Sequence, residues 1–247
     1  MAEFKVSHEL EAESLRDLKA IVEHSKTQAV TLVVIGGYAA RAYTQAQHYR
    51  GTKDIDFIAL RSDVGRLRGM LASLGYVVEV TRHGLRATKK GIFGEIKLDI
   101  AVDKVVDDST GKTYYPKENA ITNAKLTPIQ TQYVENASLK VSALVAPIED
   151  VVIMKLMTSA VARPRDKFDV AAMLLDFGDK LDKDTFVSDC ENSGLENHTS
   201  SRLKDMLVQV KNGGFRIIWI DYSKLTLSHT QEKRLKKLLS ELLAVLS

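Results

Sequence analysis

Two short stretches carry side chains that could handle a metal ion and a phosphate group. Val34-Ile35-Gly36-Gly37 runs an apolar segment into a glycine pair. After an interval long enough for one helix comes Arg50-Gly51-Thr52-Lys53-Asp54-Ile55-Asp56-Phe57. Alternate side chains of a strand point the same way, so Asp54 and Asp56 are expected on one face, with Ile55 and Phe57 on the other. Two carboxylates on one face repel each other unless a cation lies between them, and hard divalent ions such as Mg²⁺ take such oxygen ligands. The glycine pair lets the backbone approach a ligand closely, and the start of the following helix favours phosphate. Together the two stretches describe a site for a metal ion and a nucleotide.

Further along, Val151-Val152-Ile153-Met154-Lys155-Leu156-Met157 reads as a helix apolar nearly all round, with Lys155 as its one cation. An unpaired buried ammonium is costly, so Lys155 either snorkels to water or meets an anion in an interdomain cleft, namely a nucleotide triphosphate. On this reading Lys155→Met removes a buried charge and leaves stability unchanged or raised. Arg163-Pro164-Arg165-Asp166-Lys167-Phe168-Asp169 opens the next helix, with Arg165 and Asp169 spaced to pair and Asp166 and Asp169 on one face. There is no Walker-type phosphate loop, no Gly-x-Ser-x-Gly elbow and no His-Glu-x-x-His helix. His48 and His83 stand alone and read as surface residues rather than catalytic ones.

To position these groups the chain needs a sheet and helices. Ser7 can cap a helix over 8–24, and strands are expected at 30–35 and 54–60, with helices over 37–47 and 62–74. Strands follow at 76–80, 85–89 and 93–102, the last alternating Ile96, Leu98 and Ile100 with Glu95, Lys97 and Asp99. Residues 103–138 are polar and hard to assign apart from a turn at 107–111, and 139–145 reads as one more strand. Pro147 with Glu149 and Asp150 is a helix start. Helices are expected over 148–161, 165–177, 183–192, 199–211 and 230–246, with a short strand at 215–220. The fold class is α/β (α+β): a mixed sheet flanked by helices over 1–146, then a mainly helical domain over 147–247.

With 247 residues, 45% hydrophobic and 27% charged, the chain can bury a sizeable core as one or two domains. The single cysteine, Cys190, cannot form an internal disulfide, which fits a reducing compartment, and no zinc framework is present. The longest apolar stretch, 29–40, is interrupted and too short to span a bilayer. A soluble, cytoplasmic protein is expected, with no membrane partner. A net charge of +3 permits contact with nucleotides or RNA without demanding it. Lys233-Arg234-Leu235-Lys236-Lys237, interleaved with leucines at 235, 238, 239, 242 and 243, reads as the solvated face of an amphipathic helix.

Gly36-Gly37 followed by Asp54-Ile55-Asp56 resembles the signature of the DNA polymerase β-type nucleotidyltransferase superfamily. Gly36-Gly37-Tyr38-Ala39-Ala40-Arg41 and Arg50 to Phe57 are similar to its AbiEii-like branch, toxins of type IV toxin–antitoxin pairs. The resemblance covers roughly residues 30 to 175. It implies a third carboxylate on a neighbouring strand, matched by Asp99, with Asp103 as runner-up. It also implies that Lys155, Arg165, Asp166 and Asp169 complete the site. Asp54, Asp56 and Asp99 would then hold two Mg²⁺ ions, with Mn²⁺ as a substitute. Gly36, Gly37, Arg50, Thr52, Lys155, Arg165, Asp166 and Asp169 would bind the nucleotide, such as ATP. The implied reaction moves a nucleoside monophosphate from a nucleoside triphosphate to an acceptor, a tRNA or a protein hydroxyl, and releases pyrophosphate; a cognate antitoxin is the implied partner. Alternatives are transfer to a small antibiotic, or a non-catalytic nucleotide-binding regulator. Arg41, Arg50, Lys53 and Lys97 beside the acids lean towards an anionic acceptor.

Overall fold

Ser7 accepts a hydrogen bond from the Leu10 amide (3.2 Å) and so starts α1 (His8–Thr27), whose Leu15, Leu18 and Ile21 are fully buried. The computed structural model describes residues 6–48, 50–116, 121–130, 139–158 and 163–246. The chain divides into two compact units. The first comprises Met1–Ala42, Gly51–Val105 and Glu118–Pro147, and the second Tyr43–Arg50, Val106–Lys117 and Ile148–Ser247.

A seven-stranded mixed sheet forms the first unit's centre. Its strands are β1 (Leu32–Ile35), β2 (Ile55–Ala59), β3 (Val77–Thr81), β4 (Gly84–Lys90), β5 (Glu95–Val102), β8 (Lys125–Gln130) and β9 (Lys140–Val145), in the order β3-β4-β5-β2-β1-β9-β8. A separate ribbon pairs β6 (Val105–Val106) with β7 (Thr113–Tyr114). Within the large sheet β1 is antiparallel to β2, whereas β2 and β5 run parallel. β1 is buried along its whole length, as its unbroken apolar run predicts, and β5 alternates buried and accessible residues. Helices α2 (Gly36–Ala42) and α3 (Val64–Ser73) complete this unit. The edge strand β8 lies in the segment left unassigned by sequence. Its Pro128 lacks an amide proton and is tolerated because the strand has one unpaired side.

The second unit is built from α4 (Ile148–Leu156), α5 (Pro164–Phe177), α6 (Lys183–Ser193), α7 (Glu196–Lys211), α8 (Phe215–Ser223) and α9 (His229–Val245). α4 ends at Leu156, short of the expected 161: Met157 and Thr158 are described and not helical, and 159–161 lie outside the described residues. α8 replaces the strand expected at 215–220. Phe215 and Trp219, one helical turn apart, are both buried, whereas Ile217 and Ile220 are exposed, so packing of two aromatic rings outweighs the β propensity of the isoleucines. His48 is also not a surface residue. It is buried with Nδ1 2.8 Å from Asp176 Oδ1, and its ring meets Trp219 edge-on at 4.9 Å. The turn at 107–111 forms as expected, the Asp107 carboxylate accepting from the amides of Ser109 and Thr110 at 3.1 and 2.9 Å.

Burial isolates one acid at the start of α4. Asp150 accepts the hydroxyl proton of Tyr114, and burial, with Asp189 and Glu149 adding to it, pushes its carboxyl up to about 7, against the Tyr114 hydrogen bond. The unfolded chain therefore gives up this proton first as pH rises. The contribution to stability is complete below about pH 4 and is lost as pH climbs towards 7. Asp150→Asn should remove that loss. In urea unfolding, the midpoint of the variant is expected to gain on the native protein steadily from pH 4 to pH 7; parallel curves would refute it.

Candidate active site

In register across the sheet, Asp56 of β2 stands opposite Asp99 of β5 and opposite Ile35 of β1. Asp54 lies one residue before β2 and two before Asp56, while Asp99 lies midway along β5, which runs parallel to β2. One carboxylate oxygen of Asp54, Oδ1, is buried and has no hydrogen-bond partner. A buried oxygen without a donor is unfavourable unless something positive reaches it, and an all-oxygen set suits Mg²⁺.

Residues 51–54 have no regular secondary structure, so their placement depends on other elements. Glu11 accepts the Thr52 amide at 2.8 Å and also binds the Arg41 guanidinium. Ser14 donates to the Lys53 carbonyl at 2.6 Å, and the Tyr38 hydroxyl donates to Ser14 at 2.9 Å and reaches the Thr52 carbonyl at 3.3 Å. Burial holds the Tyr38 phenol well above its ordinary range, so it remains protonated as a donor. Three polar residues of α1 and α2 thus hold the loop that presents Asp54. No local pattern could have revealed them, because the partners lie 14 to 41 residues apart.

The two glycines are required by the protein's own packing. Gly36 has φ +66°, and a Cβ there would lie 2.0 Å from Asp56 Oδ2; a Cβ on Gly37 would lie 2.6 Å from Thr52 Oγ1. The glycine motif and the acid motif are therefore complementary surfaces of one packing unit.

Asp99 departs from the expected arrangement. Its half-exposed carboxylate accepts from Arg86 Nε at 2.9 Å, and Arg86 is its register partner on β4. Among the described residues no group of three or more His, Cys, Asp or Glu side chains is gathered to hold a metal ion. Asp54 and Asp56 fit a hard cation by donor type, while the third acid is engaged by an arginine. Asp103, the runner-up, lies past the end of β5 with φ +63°, and its carboxylate is held by Arg61 at 2.6 Å.

The remaining residues belong to the second unit. Lys155 neither snorkels nor lacks a counter-charge: its ammonium lies 2.8 Å from Asp166 Oδ1 and 2.8 Å from Asp169 Oδ2. Thr158 donates to the other Asp166 oxygen at 2.9 Å. Arg50 grips Asp169 with two hydrogen bonds of 2.6 Å, a bidentate geometry. Burial opposes ionisation of each group, but mutual attraction wins: the Asp166 and Asp169 carboxylates raise Lys155, while Arg50 and Lys155 lower Asp169. Arg165, half-buried, occupies the second position of α5. The lean towards an anionic acceptor loses two of its four cations, since Arg41 is buried on Glu11 and Arg50 is committed to Asp169.

No family model matches the sequence, and no curated protein matches it. Solved structures similar to the chain include antibiotic-resistance factor ANT(2'')-Ia in solution, with 15% identity over 76% of this chain and 97% of that one, at a TM-score of 0.47. The lincosamide antibiotic adenylyltransferase LnuA, bound to lincomycin, shares 18% identity over 68% and 97%, at 0.39. The nucleotidyltransferase toxin MenT4 from Mycobacterium tuberculosis shares 14% over 94% and 84%, at 0.43. Likenesses of this size assign no function to this chain. Among the described residues, no helix is long and apolar enough to cross a membrane.

Two substitutions test this geometry. Lys155→Met is expected to destabilise the protein by about 3–5 kcal/mol in urea unfolding, because it takes the ammonium away from two buried carboxylates, Asp166 and Asp169; the sequence alone had suggested the opposite sign. Gly36→Ala is expected to cost about 2 kcal/mol or more, from its positive φ and the contact with Asp56. Adding Asp56→Ala should recover part of that loss, and strictly additive losses would disprove the contact.

Proposed function

We propose that the first unit catalyses metal-dependent nucleotidyl transfer. The observation that supports it best is the pairing of Asp56 with Asp99 across parallel strands beside Asp54, which carries a buried oxygen without a donor. Asp54 and Asp56 would hold a divalent ion, with Asp99 as the third ligand once released from Arg86. When bound, Mg²⁺ supplies neutralisation of phosphate charge and acidifies a hydroxyl. In the transfer, an acceptor oxygen bonds to the α-phosphorus as the bond to the pyrophosphate oxygen breaks, and pyrophosphate departs with the electron pair. Asp99, the half-exposed acid, is assigned to take the acceptor's proton.

For the acceptor, the AbiEii-like motifs favour a toxin that modifies tRNA or a protein hydroxyl and is restrained by a cognate antitoxin. The accessible face of β4 and β5 supports an anionic acceptor through the exposed Lys90 and Lys97, while Arg86 on the same face is taken up by Asp99. The test is incubation with α-labelled nucleoside triphosphates, Mg²⁺ and a panel of tRNA, total RNA, protein extract and antibiotics. Label should move to one class of acceptor, require the divalent ion, and disappear in Asp56→Ala. Transfer that survives this substitution would eliminate the proposed site.

A further inference from the structure

One row of side chains crosses the accessible face of the sheet. From edge to centre it reads Glu79 on β3, Arg86 on β4, Asp99 on β5 and Asp56 on β2, each opposite the next in register. Arg86 therefore stands between two carboxylates, Glu79 on one side and Asp99 on the other. Directly opposed side chains on neighbouring strands lie about 5 Å apart, within reach of a guanidinium that pivots on its stem. The structure records it bonded to Asp99, at 2.9 Å.

We infer that Arg86 is a positioning residue that competes with the divalent ion for Asp99. With no ion bound, it neutralises the third acid and keeps the three carboxylates from gathering. When an ion recruits Asp99, Arg86 turns towards Glu79. Metal affinity is thereby coupled to an ion pair on a neighbouring strand that itself touches no metal. The inference rests on the transfer reading only in taking the three acids as the metal ligands.

Both side chains of the Arg86–Asp99 pair are about half exposed, 54% and 49%. Exposed pairs contribute about 0.2–1 kcal/mol, so releasing Asp99 should tighten metal binding up to about fivefold. Mn²⁺ titration of the full chain by calorimetry provides the test. Arg86→Gln should bind Mn²⁺ about two- to fivefold more tightly, Arg86→Lys should fall between it and the native protein, and Glu79→Gln should bind more weakly. In an Asp99→Asn background, Arg86→Gln should lose most of its effect, which separates the latch from a general change in charge. Movement of the Arg86 Nε–H resonance on adding Mg²⁺ gives a readout that a purely structural arginine would not show. Unchanged affinity in Arg86→Gln, or an equal gain with and without Asp99, overturns the latch and leaves the transfer reading standing. Absence of Mn²⁺ binding in every variant overturns both.

Discussion

Two aspartates directly opposed on parallel neighbouring strands repel each other, and the first unit is arranged around that repulsion. Asp56 and Asp99 occupy such a pair. Like charges so placed weaken a sheet unless a positive group lies nearby. Arg86 provides one on the β4 side. Two residues before Asp56 along the chain, Asp54 brings a further carboxylate, one oxygen of which is buried without a hydrogen-bond partner.

Keeping the acids in position takes a substantial part of the first unit. Glu11, Ser14 and Tyr38 hold a loop with no regular backbone pairing of its own, and they do so by bonding its amides and carbonyls directly. Gly36 and Gly37 leave the volume that Asp56 and Thr52 fill. The spacing between glycine pair and acid pair thus has a mechanical meaning: β1 must deliver a residue without a side chain to the point where β2 delivers a carboxylate.

The second unit solves a different electrostatic problem. Lys155, Arg50, Asp166 and Asp169 are buried together, two positive and two negative, so that no charge faces apolar surroundings alone. Arg50 belongs to this network, while Gly51 onwards belongs to the first unit. The motif read as one block in the sequence therefore serves two structural purposes.

Much of the architecture was legible because it rests on local periodicity. The buried run of β1, the alternation of β5, the Ser7 cap, the Asp107 turn and the leucine stripe of α9 all follow from spacing within a few residues. Where local preference and packing disagree, packing decided: three isoleucines that favour a strand lie in α8 because Phe215 and Trp219 are buried one turn apart. His48 followed the same rule, buried by a carboxylate 128 residues away. By itself the sequence determined that Asp56 and Asp99 would lie on strands; Asp54 lies immediately before one. Only the tertiary structure decided that Asp99 is held by Arg86, that Lys155 is already paired and that the glycines make room for Asp56 and Thr52. Those are contacts between distant segments, and an ion pair depends on which side chains the folded chain brings within a few ångströms, a relation that no spacing along the chain encodes.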